Sequence, residues 1–383
     1  MNKFVCPKCG NSNEQFIGYK NNKPYCRACI SFQGKEADKN FQPKDNLKLE
    51  LKYPLSEKQE NISNLVVKNI LEGKNILIHA ITGAGKTELV YKIIELKLQK
   101  RLHVGFATPR KDVVVDLLPR FKEAFPKADI KSVYGEHSSQ LNGDIILLTT
   151  HQLYRYNQYF DLLVLDEIDA FPYKGNQVLN HFFYQSIKGN YILLSATPSK
   201  EDIENIKKDN GVVLNLFERY HHHLLDVPLF IKTSYPFSYY KVLTLLNNFI
   251  RENKQVFIFV PTIDCGVKLF SFLNKFNHTG AFVSSKEESR RLDIEKFKNQ
   301  EYMFLVTTSI LERGVTVKDL QVIVFESDHD IYNAATLIQI SGRVGRKINA
   351  PTGKIIFLGK EKNQEIEKAI HEIERYNSKA NIL

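Results

Sequence analysis

From residue 75 onward, short unbroken apolar runs alternate with amphipathic stretches, and no other feature of the chain constrains its fold as tightly. Ile76 to Ile78, Val104 to Phe106, Ile145 to Leu148, Leu162 to Leu165 and Ile192 to Leu194 are expected strands. A strand without polar alternation is apolar on both faces, and helices cover both faces only of a parallel sheet. Between the first two runs lies KTELVYKIIELKLQK, where Leu89, Val90, Ile93, Ile94 and Leu96 share one helical face with lysines and glutamates opposite. The pattern then returns in Val256 to Val260, Met303 to Val306, Val322 to Phe325 and Ile355 to Leu358. The expected class is therefore α/β, with two parallel-sheet domains in tandem. A length of 383 residues leaves room for both and for something small besides.

That small piece lies in front. Cys6 and Cys9 form one CxxC pair and Cys26 and Cys29 another. Four thiolates in two such turns suit tetrahedral zinc and leave no open coordination position, so the expected site is structural. Gly10 suits a tight turn after the first pair, and Lys8 and Arg27 would offset the charge of the cluster. A redox CxxC or loose surface thiols are the alternatives, but a redox pair expects a thioredoxin-like βαβ setting that this polar stretch lacks. Whether such a knuckle binds DNA, binds a partner or only staples the chain stays open. The boundaries expected are a zinc module at 1–38, a linker at 39–56, a first domain at 57–210, an interdomain linker at 211–237 and a second domain at 238–383. The polar stretch 31–56, interrupted by Pro43 and Pro54, has room for one short strand. Cys265 is expected to be a buried core thiol. His221, His222 and His223 have no flanking carboxylate or cysteine, which favours a solvated or interdomain loop over a metal site.

A hydrophobic share of 43% and a charged share of 25% exclude a disordered chain. The formal net charge of +10 favours a polyanionic partner such as nucleic acid, although a solvated cationic face gives the same count. The N-terminus has no apolar signal core, and no run approaches the roughly 18 apolar residues that span a bilayer. A cytoplasmic protein without a transmembrane segment is expected.

Three further stretches carry chemistry. AITGAGKT, residues 80 to 87, follows a strand and precedes a helix, the setting of a phosphate loop. Ala80 stands where the usual pattern has its first glycine, so a chance match has to be weighed. The backbone N–H groups of Gly83, Ala84, Gly85, Lys86 and Thr87 would meet phosphate oxygens of ATP. Lys86 would reach the β and γ phosphates, and the Thr87 hydroxyl would hold Mg²⁺. LLVLDEIDAF is a buried strand ending in carboxylates, with Asp166 placed for Mg²⁺ and Glu167 to polarise water. QISGRVGR, residues 339 to 346, offers Arg343 and Arg346 on a helix terminus, where planar guanidinium groups suit a transferring phosphoryl group. Because these arginines lie in the second repeat, they can act only if ATP lies between the halves.

The ordered set AITGAGKT, TPR (108 to 110), TTHQL (149 to 153), DEID (166 to 169), SAT (195 to 197), VPT (260 to 262), TTSILERGVT (307 to 316) and QISGRVGR resembles the motif series of superfamily 2 helicases and translocases. The resemblance covers about residues 55 to 350 and implies two RecA-like domains. By it, Gln59 in LSEKQ would read adenine, Gly314 would sit near the nucleotide, and Ser195 and Thr197 would couple ATP state to domain motion. Pro109, Arg110, Thr150, His151, Thr262, Thr307 and Thr308 match strand-contacting positions for DNA, though each has an ordinary reading as a cap or turn residue. Thr316 stands where DEAD-box RNA helicases carry an acid, Gln339 replaces their histidine, and the second box reads DEID, all of which weaken an RNA helicase reading.

A four-cysteine knuckle ahead of a compact two-domain motor, with DEIDAFPY and TTSILERGVT, is similar to the ComFA family of natural competence. That resemblance implies ATP-driven translocation of single-stranded DNA at the inner face of a membrane channel, with a phosphoribosyltransferase-like competence protein as partner. A replication-restart helicase, or a zinc-dependent adaptor whose motor is an ATP-gated clamp, are the alternatives. The first places its cysteines within or after the motor, and the second does not account for Glu167, Arg343 and Arg346.

Overall fold

The computed structural model describes residues 4–45, 47–276, 278–284, 290–308 and 317–380. Two compact units divide the chain, Met1–Ala80 with Gly85–Leu216, and Ile81–Ala84 with Phe217–Leu383.

The first unit begins with an antiparallel hairpin of β1 (Ile17–Lys20) and β2 (Lys23–Cys26). Asn21 and Asn22 at its tip have φ of 49° and 57°, the left-handed pair that a two-residue hairpin turn requires. A parallel sheet follows, built from β3 (Asn75–Ala80), β4 (Val104–Thr108), β5 (Ile130–Val133), β6 (Ile145–Thr149), β7 (Phe160–Asp166), β8 (Ile187–Ser195) and β9 (Gly211–Leu216). Its order is β5-β6-β4-β7-β8-β3-β9, with every pairing parallel. Helices α1 (Glu57–Leu71), α2 (Tyr91–Gln99), α3 (Lys111–Ala124), α4 (Gln177–Ser186) and α5 (Lys200–Lys208) connect and cover it. All five residues of β4 and of β6 are buried, which is why those strands read as unbroken apolar runs.

The second unit repeats the plan with β10 (Leu229–Lys232), β11 (Val256–Phe259), β12 (Gly280–Val283), β13 (Phe304–Thr307), β14 (Gln321–Val324) and β15 (Ile355–Gly359). The order is β10-β15-β14-β11-β13-β12, again all parallel. Its helices are α6 (Phe237–Arg251), α7 (Ile263–Asn274), α8 (Arg290–Lys298), α9 (Ala334–Ser341) and α10 (Gln364–Ala380).

The edge strands β5 and β12 are not among the expected strands, and two segments expected as linkers also differ from the sequence expectation. Residues 211–237, expected as a linker, supply an edge strand to each sheet: β9 pairs with β3, and β10 pairs with β15. Both strands are largely half-buried or exposed, so they lack the unbroken apolar signature of their central neighbours. Residues 31–56 form no strand among the described residues and are instead held to the first unit by single hydrogen bonds. Arg155 Nη1 donates to the Lys35 carbonyl at 2.8 Å, and the backbone N–H of Lys44 and of Leu49 donate to Asp144 at 2.7 Å and Glu95 at 2.9 Å.

Aromatic edges fill the first core. Phe121 on α3 meets Tyr91 and Phe106 edge-on at ring separations of 5.1 and 5.3 Å. Because Phe121 is completely buried, Phe121→Ala should cost about 3–5 kcal/mol of unfolding free energy, read from denaturant unfolding of the full chain.

Candidate functional site

Parallel pairing delivers the expected nucleotide residues to one edge of the first sheet. β8 lies between β3 and β7, with His79 beside Ser195 and Asp166 beside Leu194. The phosphate loop leaving β3 and the carboxylates ending β7 are thus two strand spacings apart, roughly 10 Å. That gap suits a phosphate chain and one hydrated cation.

The loop itself answers the question raised by Ala80. Gly83 and Gly85 have φ of +86° and +76°, the left-handed region that favours glycine, whereas Ala80 is the last, fully buried residue of β3 and has no such requirement. Beyond the loop, the helical path starts with one 3₁₀ turn, Glu88–Val90, before α2, where the sequence pattern reads as a single helix. Lys86 Nζ donates to the Ala80 carbonyl at 3.1 Å, which keeps the ammonium folded over its own loop. Thr87 is buried.

Gln59 is held by a reciprocal cap at the start of α1. Its Oε1 accepts from the Ser56 N–H at 2.9 Å, and its own N–H donates to Ser56 Oγ at 3.3 Å. A Cβ added to Gly85 would lie 2.5 Å from Gln59 Nε2, so the amide sits directly against the loop.

Asp166 is buried at the end of β7, and its Oδ1 accepts from the Glu167 N–H at 2.8 Å. Glu167 has φ of +59°, an uncommon backbone state for a residue with a side chain, and one often found at functional turns. Nearby, Arg120 Nη2 pairs with Glu88 Oε1 at 2.5 Å. Burial works against the charge of Arg120, but Glu88 outweighs it, so the guanidinium stays a firm cation in the field of Asp166. A hydroxyl and carboxylate set such as Thr87 and Asp166 suits a hard cation such as Mg²⁺.

Ser195 and Thr197 meet at a residue the motif reading passed over. Ser195 Oγ donates to Asp169 Oδ1 at 3.1 Å, and Thr197 Oγ1 donates to Asp169 Oδ2 at 2.7 Å. The last acid of DEID therefore ties the end of β7 to the end of β8, and its place three residues after Asp166 was the signal for it.

The positions expected to contact DNA gather at the same carboxyl edges. Thr108 pairs with Thr149 in register, so Pro109 and Arg110 begin beside Thr150 and His151. Phe259 pairs with Thr307 in the second unit, which sets Thr262 near Thr307 and Thr308. Several of these side chains already have work in the fold. Thr262 Oγ1 accepts from the Cys265 N–H at 3.1 Å to cap α7, and Thr307 Oγ1 donates to the Thr308 carbonyl at 3.1 Å, whereas Arg110 stands at the N-cap of α3 without a side-chain capping bond. Thr150 is fully buried. The His151 ring stacks on Phe32 at 6.2 Å, and burial holds its imidazole below the usual histidine range.

In the second unit, α9 ends at Ser341, so Arg343 and Arg346 lie in the turn beyond it, not on its last turn. Arg343 is buried, and Arg346 Nε donates to the Gly342 carbonyl at 2.9 Å. Gly314 and Thr316 lie outside the described residues. The histidine run is not a solvated loop throughout: His221 is buried and Nε2 bonds the Gly345 carbonyl at 2.9 Å, while His222 and His223 are exposed. Cys265 is only partly buried, and burial together with Glu326 pushes its thiol up to about 12.

At the N-terminus, Cys6, Cys9, Cys26 and Cys29 are all buried with their sulfurs within 4.8 Å of one another. Cys6 and Cys29 sulfurs are 3.6 Å apart, and those of Cys9 and Cys26 are 3.7 Å apart. Sulfurs about 2.3 Å from a central Zn²⁺ stand about 3.8 Å apart at tetrahedral corners, so the residues fit the ion. Burial pushes the Cys9 thiol up to about 11 and raises that of Cys29, which makes metal binding compete with protons.

Comparison with known proteins agrees with this geometry. The family described as Type III restriction enzyme, res subunit, matches residues 52–200, and the helicase conserved C-terminal domain matches residues 240–347. Competence protein ComFA of Streptococcus pneumoniae is 33% identical over 399 residues, spanning 99% of this chain and 92% of that protein. The chain belongs to the ComFA family. ComFA of Bacillus subtilis is 31% identical over 402 residues, spanning 99% of this chain and 86% of the relative. Among solved structures, S. cerevisiae Dbp5 bound to RNA and ADP BeF3 superposes with a TM-score of 0.62 at 17% identity, covering 84% of this chain and 91% of that one, a likeness of fold. The two RecA-like units and the two helicase family matches make the chain an ATPase of the superfamily 2 type, using ATP and Mg²⁺. No helix among the described residues is long and apolar enough to cross a membrane.

Two outcomes are expected. Metal analysis should find one zinc per chain, absent from the double variant Cys9→Ser with Cys26→Ser. Gly85→Ala, which meets both a left-handed φ and the Gln59 amide, should weaken nucleotide binding at least about 10-fold, as measured with a fluorescent ATP analogue.

Proposed function

We propose that this chain is an ATP-driven translocase on single-stranded DNA that powers uptake of transforming DNA in natural competence. The observation that carries this is the carboxyl-edge cluster of Lys86, Asp166 and Glu167 in a chain similar along 99% of its length to two competence proteins.

In this proposal Lys86 neutralises the β and γ phosphates, and Gln59 reads the adenine. Thr87 and Asp166 would hold Mg²⁺, which supplies charge neutralisation at the phosphates. Glu167 orients and deprotonates the attacking water, and Arg343 and Arg346 stabilise charge on the transferring phosphoryl group. Gly314 belongs to the same nucleotide set. Ser195 and Thr197, through Asp169, relay the state of the β7 carboxylates to the DNA-facing edge. Pro109, Arg110, Thr150 and His151 in one unit, with Thr262, Thr307 and Thr308 in the other, grip the sugar-phosphate backbone without reading bases, the buried Thr150, Thr307 and Thr308 through their backbone groups. Alternating grip of the two units then produces stepwise motion. The zinc cluster is structural. The partners are single-stranded DNA, a phosphoribosyltransferase-like competence protein and a DNA channel at the inner face of the membrane, where a cytoplasmic motor would work.

ATP turnover should rise on addition of single-stranded DNA and fall at least about 100-fold in both Lys86→Ala and Glu167→Gln. Equal turnover in all three proteins would end the enzymatic assignment. DNA affinity should also fall steeply with salt, by about 10-fold or more between 50 and 200 mM if several phosphates are contacted, and a flat response would contradict backbone gripping.

A further inference from the structure

The second unit opens with a segment, Arg219-Tyr220-His221, whose three side chains all reach the same place. Arg219 Nη1 donates to the Gly345 carbonyl at 2.8 Å, His221 Nε2 is 2.9 Å from the same oxygen, and Tyr220 OH donates to the Arg346 carbonyl at 3.2 Å. The tautomer of His221 follows from its other nitrogen. Nδ1 accepts from the His223 N–H at 3.3 Å, so the proton sits on Nε2, facing the carbonyl.

These two carbonyls belong to the GRVGR turn that carries Arg343 and Arg346. Gly345, between the arginines, has φ of +66°, and a Cβ there would lie 2.2 Å from the Pro351 carbonyl oxygen and 2.7 Å from Arg219 Nη1. The backbone linking the two guanidiniums is therefore held by donors on its carbonyls and crowded at Gly345 by both Pro351 and Arg219. The arrangement is expensive to keep. Arg219 is 1% exposed, its Nη2 has no hydrogen-bond partner, and the charge of Asp226 offsets only part of what burial costs the guanidinium. A buried cation compensated only in part adds little to stability, which favours a positional role.

We propose that Arg219, Tyr220 and His221 are positioning residues that set the direction of Arg343 and Arg346 by holding the carbonyls of Gly345 and Arg346. The proposal rests on the assignment of those two arginines to the phosphoryl group. The brace begins at Arg219, within the second unit and just past the end of the first at Leu216.

The test is steady-state ATP hydrolysis by the full chain with single-stranded DNA. Tyr220→Phe removes one donor and His221→Ala another. Each should lower kcat about 10-fold, with KM for ATP within about 2-fold and an unchanged thermal midpoint. His221→Gln, whose amide still donates to the carbonyl, should regain most of the turnover. Wild-type kcat in both Tyr220→Phe and His221→Ala, while Arg343→Lys is impaired, overturns the brace. So does a loss of kcat that tracks a lowered thermal midpoint and is not rescued by His221→Gln. Full turnover in Arg343→Lys and Arg346→Lys removes the assignment of the arginines, and the brace with it.

Discussion

Parallel strand pairing is the constraint on which the rest of this structure depends. In an all-parallel sheet every strand ends at the same edge, so residues far apart in sequence become neighbours there without any contact of their own making. Ala80, Asp166 and Ser195 are brought together because β3, β8 and β7 are adjacent. The same rule places the TPR and TTHQL stretches side by side in the first unit, and the residues after β11 and β13 side by side in the second. Helices on both faces exclude water from the strands and leave the carboxyl edge as the place where polar chemistry can collect.

Polar groups at that edge are tied to one another in ways that suit a site able to change state. Asp169 accepts two hydroxyl hydrogen bonds, from Ser195 and Thr197, and thereby links the carboxylate strand to its neighbour. A satisfied network of this kind is rigid until a charge nearby changes, when its bonds can be exchanged as a set. Glu167, with its left-handed backbone, is turned away from the path of the strand it follows. In the second unit the equivalent rigidity comes from donors on side chains gripping backbone oxygens: Arg219 and His221 share one carbonyl between the two arginines.

The four-cysteine cluster is joined to the motor by packing as well as by sequence. Its sulfurs belong to the same buried apolar cluster as Leu153 and Phe182. Phe32, three residues past the last cysteine, meets Phe182 edge-on at 5.0 Å and Tyr154 edge-on at 5.6 Å, besides its stack on His151. A metal that orders the knuckle therefore also orders one wall of the TTHQL turn. This gives a four-cysteine site a physical connection to the edge where strand contacts are expected.

Amino-acid order alone determined the central strands, because a strand buried on both faces must be apolar throughout, and it determined the phosphate loop, the DEID carboxylates and the two CxxC pairs, because each is a short-range pattern. Edge strands β5, β9, β10 and β12 escaped it, because partly exposed strands carry a weak signature, and the stretch holding β9 and β10 reads as a connection. The role of Asp169 and the burial of Thr150 were decided only by tertiary structure, since each depends on which strand lies next to which. The same holds for His221, which reads as part of a polar run and becomes a buried donor only because the chain places Gly345 2.9 Å from its ring. Local pattern specifies what a residue can do, and long-range packing decides which partner it meets.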